Sequence, residues 1–156
     1  MLTLGEFGNF YSCLSYGVRR EVSIKLGFHQ PSDSDAFLTK KIIFAIKELR
    51  NAVAHNDVIF DTRFSRSSID KSLSSSLEIV TGIKSITFKS ITDYIILVVY
   101  LLKCFGVPKG DMRRFVAEFQ DNIETLRKQI PTSLFARIVL TDTRPKLKSL
   151  QEYIRK

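Results

Sequence analysis

Hydrophobic side chains recur at spacings of three and four along most of the chain, and sustained two-residue alternation is absent. The pattern predicts an all-α bundle of about five to seven helices. Leu4, Phe7, Phe10, Tyr11 and Leu14 mark the first helix, opened by Thr3 with Glu6 three residues on, as in a capping box. Gly5 and Gly8 weaken its propensity by up to about 1 kcal/mol each, so it has to lean on tertiary packing. A second helix covers 18–26 and stops at Gly27. Residues 29–35 read as a loop. Ser34 or Asp35 then opens a third helix with the stripe Leu38, Ile42, Ala45, Ile46, Leu49 and Val53, leaving Lys40, Lys41, Lys47 and Glu48 largely off it. Residues 57–68 are mixed and turn-like. Ile69, Leu73, Leu77 and Val80 suggest a weaker fourth helix in a serine-rich run, and 83–88 a short extended stretch. Ser90 or Thr92 starts a fifth helix through the apolar block to Phe105 and Gly106. After a turn at 108–111, a sixth turns Met112, Phe115, Val116, Phe119, Ile123 and Leu126 inward and ends before Pro131. A short apolar piece spans 134–140.

Residues 1–140 are expected to form one domain and 141–156 a basic tail, a frayed helix carrying Leu147, Leu150, Tyr153 and Ile154. Tyr11, Tyr94 and Tyr100 lie on apolar stripes and are expected in the core. The longest apolar run, 95–102, is far short of the roughly 20 residues of a membrane span. No membrane partner is expected.

Composition adds charge to this picture. Against 16 Asp+Glu the 156 residues carry 24 Lys+Arg, a formal net charge of +8. Residues 109–156 hold 11 basic and 6 acidic side chains, an excess of +5, against 13 and 10 in residues 1–108, an excess of +3. Such a balance favours acidic partners such as nucleic acid. Cys13 and Cys104 have no metal-ligand spacing and suit two free thiols in a reducing cytoplasm. The N-terminus has no export pattern.

The chemistry concentrates in Leu49-Arg50-Asn51-Ala52-Val53-Ala54-His55-Asn56-Asp57. An imidazole both takes and gives protons near neutrality, and a guanidinium grips phosphate with paired hydrogen bonds. Together they suit phosphodiester chemistry without a metal, since RNA supplies its own nucleophile. On an ideal helix Arg50 and His55 point about 140° apart, so helix distortion or a second subunit is needed to bring them together. The plainer reading is that both are cations suited to a helix C-terminus. Asp57 and Asp61 read as turn residues rather than metal ligands, and His29 as a surface histidine. The chain has no Gly-rich phosphate loop with lysine, no His-Glu-x-x-His, no Cys-x-x-Cys and no nucleophile elbow.

Arg50-Asn51-(three residues)-His55 resembles the arginine–histidine motif of HEPN domains. Leu2-Thr3-Leu4-Gly5-Glu6-Phe7-Gly8-Asn9-Phe10-Tyr11-Ser12-Cys13-Leu14 resembles the segment preceding that motif in Abi-like abortive-infection proteins of bacteria, the AbiD/AbiF type. The helix 94–105 and the helix ending at Ile130-Pro131 resemble their C-terminal part, so the likeness covers about residues 2–140. It implies a HEPN-like helical bundle, often homodimeric, acting on RNA as a metal-independent endoribonuclease without cofactors. His55 would handle protons, Arg50 hold the scissile phosphate, Asn51 position the site and Asn56 contact substrate. An antitoxin-like protein is a further partner the resemblance brings in. Two departures stand beside it. The family commonly has a second histidine where this chain has Asn56, and further helices before the segment that Met1 nearly abuts here, as expected of a shortened member. The alternative is a non-catalytic helical interaction module whose motif is structural.

Overall fold

The computed structural model describes residues 3–54, 64 and 69–156. Thr3 and Glu6 close the expected capping box: Thr3 Oγ1 accepts from the Glu6 amide at 3.2 Å, and the Thr3 amide donates to Glu6 Oε2 at 2.7 Å. These bonds hold the Glu6 carboxyl below its ordinary range. They open α1 (Leu4–Cys13), which is followed by α2 (Tyr16–Lys25). Gly27 ends that helix at φ 73°, a left-handed conformation that side-chain-bearing residues rarely adopt.

The third helix starts later than its sequence suggests. Ala36 takes φ 55°, which breaks a helix begun at Ser34 or Asp35, and α3 runs Leu38–Ala54. Asp33 Oδ1 accepts from the amides of Phe37 and Leu38, both at 3.1 Å, and Asp35 Oδ1 from Phe37 at 3.0 Å. These carboxylates satisfy N–H groups left open at the helix start. Tyr11 ties the first three helices together. Its hydroxyl donates toward the carbonyls of Arg19 (2.9 Å) and Ala36 (3.0 Å) and shares a bond with Ser23 Oγ (3.1 Å), which in turn meets Thr39 at 2.6 Å.

Asp70 caps α4 (Lys71–Thr81) through the Ser72 amide at 2.8 Å. The stretch expected to be extended, 83–88, forms no strand; Ile83, Ile86 and Phe88 are buried while carboxylates hold its backbone. Glu78 Oε1 accepts from Ile86, and Asp93 Oδ2 from Thr87 and Phe88, at 2.9–3.0 Å. Asp93 belongs to α5 (Ile91–Cys104), the apolar centre of the bundle, which packs against α3, α4, α6 and α8. Phe64 joins this core by packing its ring, tilted by 43°, against Tyr94 at 4.6 Å between centroids. Tyr11, Tyr94 and Tyr100 are all buried, as their stripes predict.

The turn expected at 108–111 is already helical: α6 spans Lys109–Gln129 behind Pro108. The fixed φ of proline is compatible with a helix start, where its missing N–H costs nothing. The short apolar piece becomes α7 (Thr132–Ile138). The segment expected as a frayed basic tail is a docked helix, α8 (Thr143–Arg155), with Leu147, Leu150, Tyr153 and Ile154 buried. Lys146 anchors it. The ammonium, on a side chain only 4% exposed, lies 2.7 Å from Asp93 and 2.7 Å from Asp142. The fold is all-α with eight helices among the described residues, one more than the upper end of the range read from periodicity. Within these residues no helix is long and apolar enough to cross a membrane.

Candidate nucleic-acid interface

The first and third helices are packed together. α1 lies antiparallel on α3, with Gly8 opposite Phe44 and Gly5 opposite Lys47. A Cβ at Gly8 would sit 2.6 Å from the Phe44 ring, so only a glycine lets the helices approach this closely. The packing that the weak propensity of α1 requires is therefore supplied by the helix bearing the arginine motif.

Arg50 lies in the last turns of α3 and is exposed. Its Nη1 donates to Asn51 Oδ1 at 3.3 Å, and no described carboxylate pairs with it. Asn51 is half-buried and Ala52 fully buried. Val53, expected on the inward stripe, is 56% exposed instead. Ala52 takes the inward position, because the face of α3 that meets the core has shifted by one residue at its last turn. His55, Asn56, Asp57 and Asp61 lie outside the described residues. The structure brings Arg50 and Asn51 together and describes neither partner of the motif beyond them.

Cations and aromatic rings alternate along the same side of α3. Arg19 of α2 sits 4.1 Å over the Phe37 ring, and Lys40 lies 5.5 Å from Phe37 and 5.9 Å from Phe44. Lys47 lies 5.4 Å from Phe44, and its alkyl chain crosses Gly5. Rings attract cations through their negative faces, which holds the ammonium groups in place without neutralising them. Lys47 is one turn from Arg50 and Asn51, so the row leads to the motif. Sequence reading set Lys40 and Lys47 aside as polar positions. The signal that would have found them is Phe37, Lys40, Phe44, Lys47 and Asn51 at alternating spacings of three and four. Lys41, one position along, faces another way and is neutralised by Asp70 at 3.4 Å, with Ser72 Oγ at 2.7 Å.

From α5 to the C-terminus several basic side chains are already engaged within the fold. Lys146 is buried, Arg144 pairs with Glu124 at 2.6 Å, and Arg114 pairs with Asp111 at 3.1 Å. Lys109 and Lys103 donate to the carbonyls of Arg155 and Tyr153 at the end of α8, at 2.7 and 3.0 Å. Cations at carbonyl-rich helix ends are favourable for the helix itself.

Other chemistry-bearing groups sit apart from this row. His29 is half-buried rather than a plain surface residue, since the loop folds under and leaves its Nδ1 buried without a partner. Cys13 and Cys104 are free thiols, and burial pushes the Cys104 thiol up from its ordinary pKa. Among the described residues no group of three or more His, Cys, Asp or Glu is placed to hold a metal ion. No family model matches the chain, and comparison with curated proteins and with solved structures likewise finds no match.

Proposed function

We propose that this protein is a HEPN-type RNA-binding protein or metal-independent endoribonuclease of the abortive-infection kind, acting in the cytoplasm as a homodimer. Arg50 anchors the scissile phosphate, Asn51 orients it, His55 moves the proton of the 2′-hydroxyl or leaving group, and Asn56 contacts the substrate. The observation that carries the reading is an exposed Arg50, free of any described carboxylate, at the end of a row of unneutralised cations. A guanidinium in that state is available to a phosphate, and the lysines beside it add sequence-independent attraction. An antitoxin-like protein would be its natural inhibitor. The test is cleavage of a mixed RNA pool in EDTA by the wild type, His55→Ala and Arg50→Ala. Cleavage by the wild type alone is expected; equal cleavage by all three, or by none, rejects the catalytic role.

One observation favours a non-catalytic interaction module as the second reading. Leu4, Phe7 and Phe10 of α1 and Val53 of α3 are exposed hydrophobic side chains on the two helices that carry the resemblance. Under that reading, Arg50→Ala lowers thermal stability, whereas under the catalytic one it leaves the melt within about 0.5 kcal/mol of wild type.

A further inference from the structure

At the far end of the bundle, α6, α7 and α8 enclose a cleft of about 570 Å³. Its size is within the range of roughly 300–1,000 Å³ typical of small-ligand sites. The walls are apolar, formed chiefly by Ile123, Phe135, Ala136, Val139, Leu140 and Leu147. Gln120, Thr132, Thr141 and the buried Thr143 also line the cleft, and the charged groups Glu124, Arg127 and Arg144, all about half-exposed or more, stand at its rim.

The rim is not electrically balanced. Arg144 Nη2 lies 2.6 Å from Glu124 Oε1, a full charge-assisted hydrogen bond that, with Arg127 adding to it, holds the Glu124 carboxyl below its ordinary range. Arg127 Nη1 stands 3.7 Å from Glu124 Oε2, beyond hydrogen-bond distance. Two guanidinium groups thus face one carboxylate, an excess of one positive charge, and the donors of Arg127 are left for another acceptor. An apolar cavity with one spare cation at its mouth is complementary to a molecule with an apolar tail and a single negative charge. A dianionic head would overcompensate the rim, and a neutral one would leave Arg127 unused.

We infer that this cleft binds a single-chain amphiphile with a carboxylate head, its tail between α6, α7 and α8 and its head on Arg127. The site is separate from the row on α3 and does not depend on the function proposed for that row. Calorimetric titration with octanoate, decanoate and dodecanoate below their micelle concentrations tests it, with decanol as the uncharged control. One-to-one binding of decanoate with Kd below about 1 mM is expected. Affinity should rise about fourfold for each added methylene while the tail still fits. Arg127→Gln should weaken decanoate at least about fivefold and leave decanol unchanged, as loss of a charge-assisted bond predicts. Ala136→Trp, which fills the cleft from α7, should abolish binding of both. No saturable decanoate binding, decanol binding as tightly as decanoate, or unchanged binding by Arg127→Gln would each overturn the proposal. Arg127 is half-exposed, so that variant keeps the test decisive even if Ala136→Trp fails to fold.

Discussion

Lys47 on α3 and Lys146 on α8 carry the same charge in opposite surroundings. Lys47 lies across Gly5 with its ammonium against an aromatic face, and no described carboxylate pairs with it. Lys146 is buried between Asp93 and Asp142, where it joins α8 to α5 and, through Asp93, to the backbone of Thr87 and Phe88. The C-terminal third of the chain, with the larger basic excess, therefore places some of its cations in internal structure. The longer remainder keeps a row of cations that no described carboxylate pairs with. Net charge names a class of partner, but only the placement of each carboxylate says which cations remain to meet it.

The strongest way to break this comparison is to remove the buried cation. Lys146→Met leaves Asp93 buried without its cation, which costs about 3–5 kcal/mol when one partner of a buried pair is lost. Urea denaturation should show that loss for Lys146→Met, whereas Lys47→Met stays within about 0.5 kcal/mol of wild type. Equal effects at the two sites would erase the distinction. The same helix gives a pH signature. The ion pairs raise the Lys146 pKa above its ordinary value despite desolvation, and burial raises Tyr153 to about 12. Groups whose folded pKa lies above the unfolded one stabilise fully below the unfolded value, and that contribution fades as pH rises through the folded one. The melting temperature should therefore fall as pH climbs above about 10, the unfolded value for both groups.

A smaller effect distinguishes the two glycines of α1. Gly8→Ala forces the Phe44 ring to move and should destabilise by about 1–2 kcal/mol, overpacking outweighing the gain in helix propensity. Gly5→Ala meets only the Lys47 side chain at 3.5 Å, an ordinary contact, and should stabilise by up to about 1 kcal/mol. Thermal melts read the sign directly, and like signs would show that α1 does not rest on α3 as described.

The smallest expected change is in binding. With a short single-stranded RNA, Lys47→Gln should reduce the slope of log affinity against log salt by about 0.7, one phosphate contact. Lys148→Gln, on the exposed side of α8, should leave it unchanged. The reverse result would move the interface to α8.

Much of the helix pattern can be read locally. Thr3 and Glu6 mark a start, Gly27 and Gly106 mark ends in left-handed turns, and the apolar block of α5 is too long and too unbroken for a solvent-facing element. The later start of α3 escapes such reading because Asp33 and Asp35 provide caps in either register, and the left-handed Ala36 has no sequence signature. Val53 and Ala52 exchange places because an apolar stripe of alternating three and four residues does not specify its last turn. Of the candidate site, Arg50 stood out from residue chemistry, while the aromatic support of Lys40 and Lys47 lay in the local spacing of Phe37 and Phe44 and was passed over; what no spacing shows is Arg19 of α2 over Phe37 and Gly5 of α1 against Lys47.

Most helices are legible in the sequence, because caps, glycines and apolar periodicity act within a few residues along the chain, whereas the start of α3 and the docking of α8 are not. The sequence also shows a basic protein with Arg50 and His55 five residues apart, of which Arg50 lies in the last turns of α3. Which charges are buried became definite only with packing. Lys146 meets Asp93 of α5 as well as its helical neighbour Asp142, whereas Lys47 meets the ring of Phe44 within its own helix, with Gly5 of α1 laid against its alkyl chain. The energy of a charge is set by the dielectric and the partners around it, and those exist only once the helices have packed.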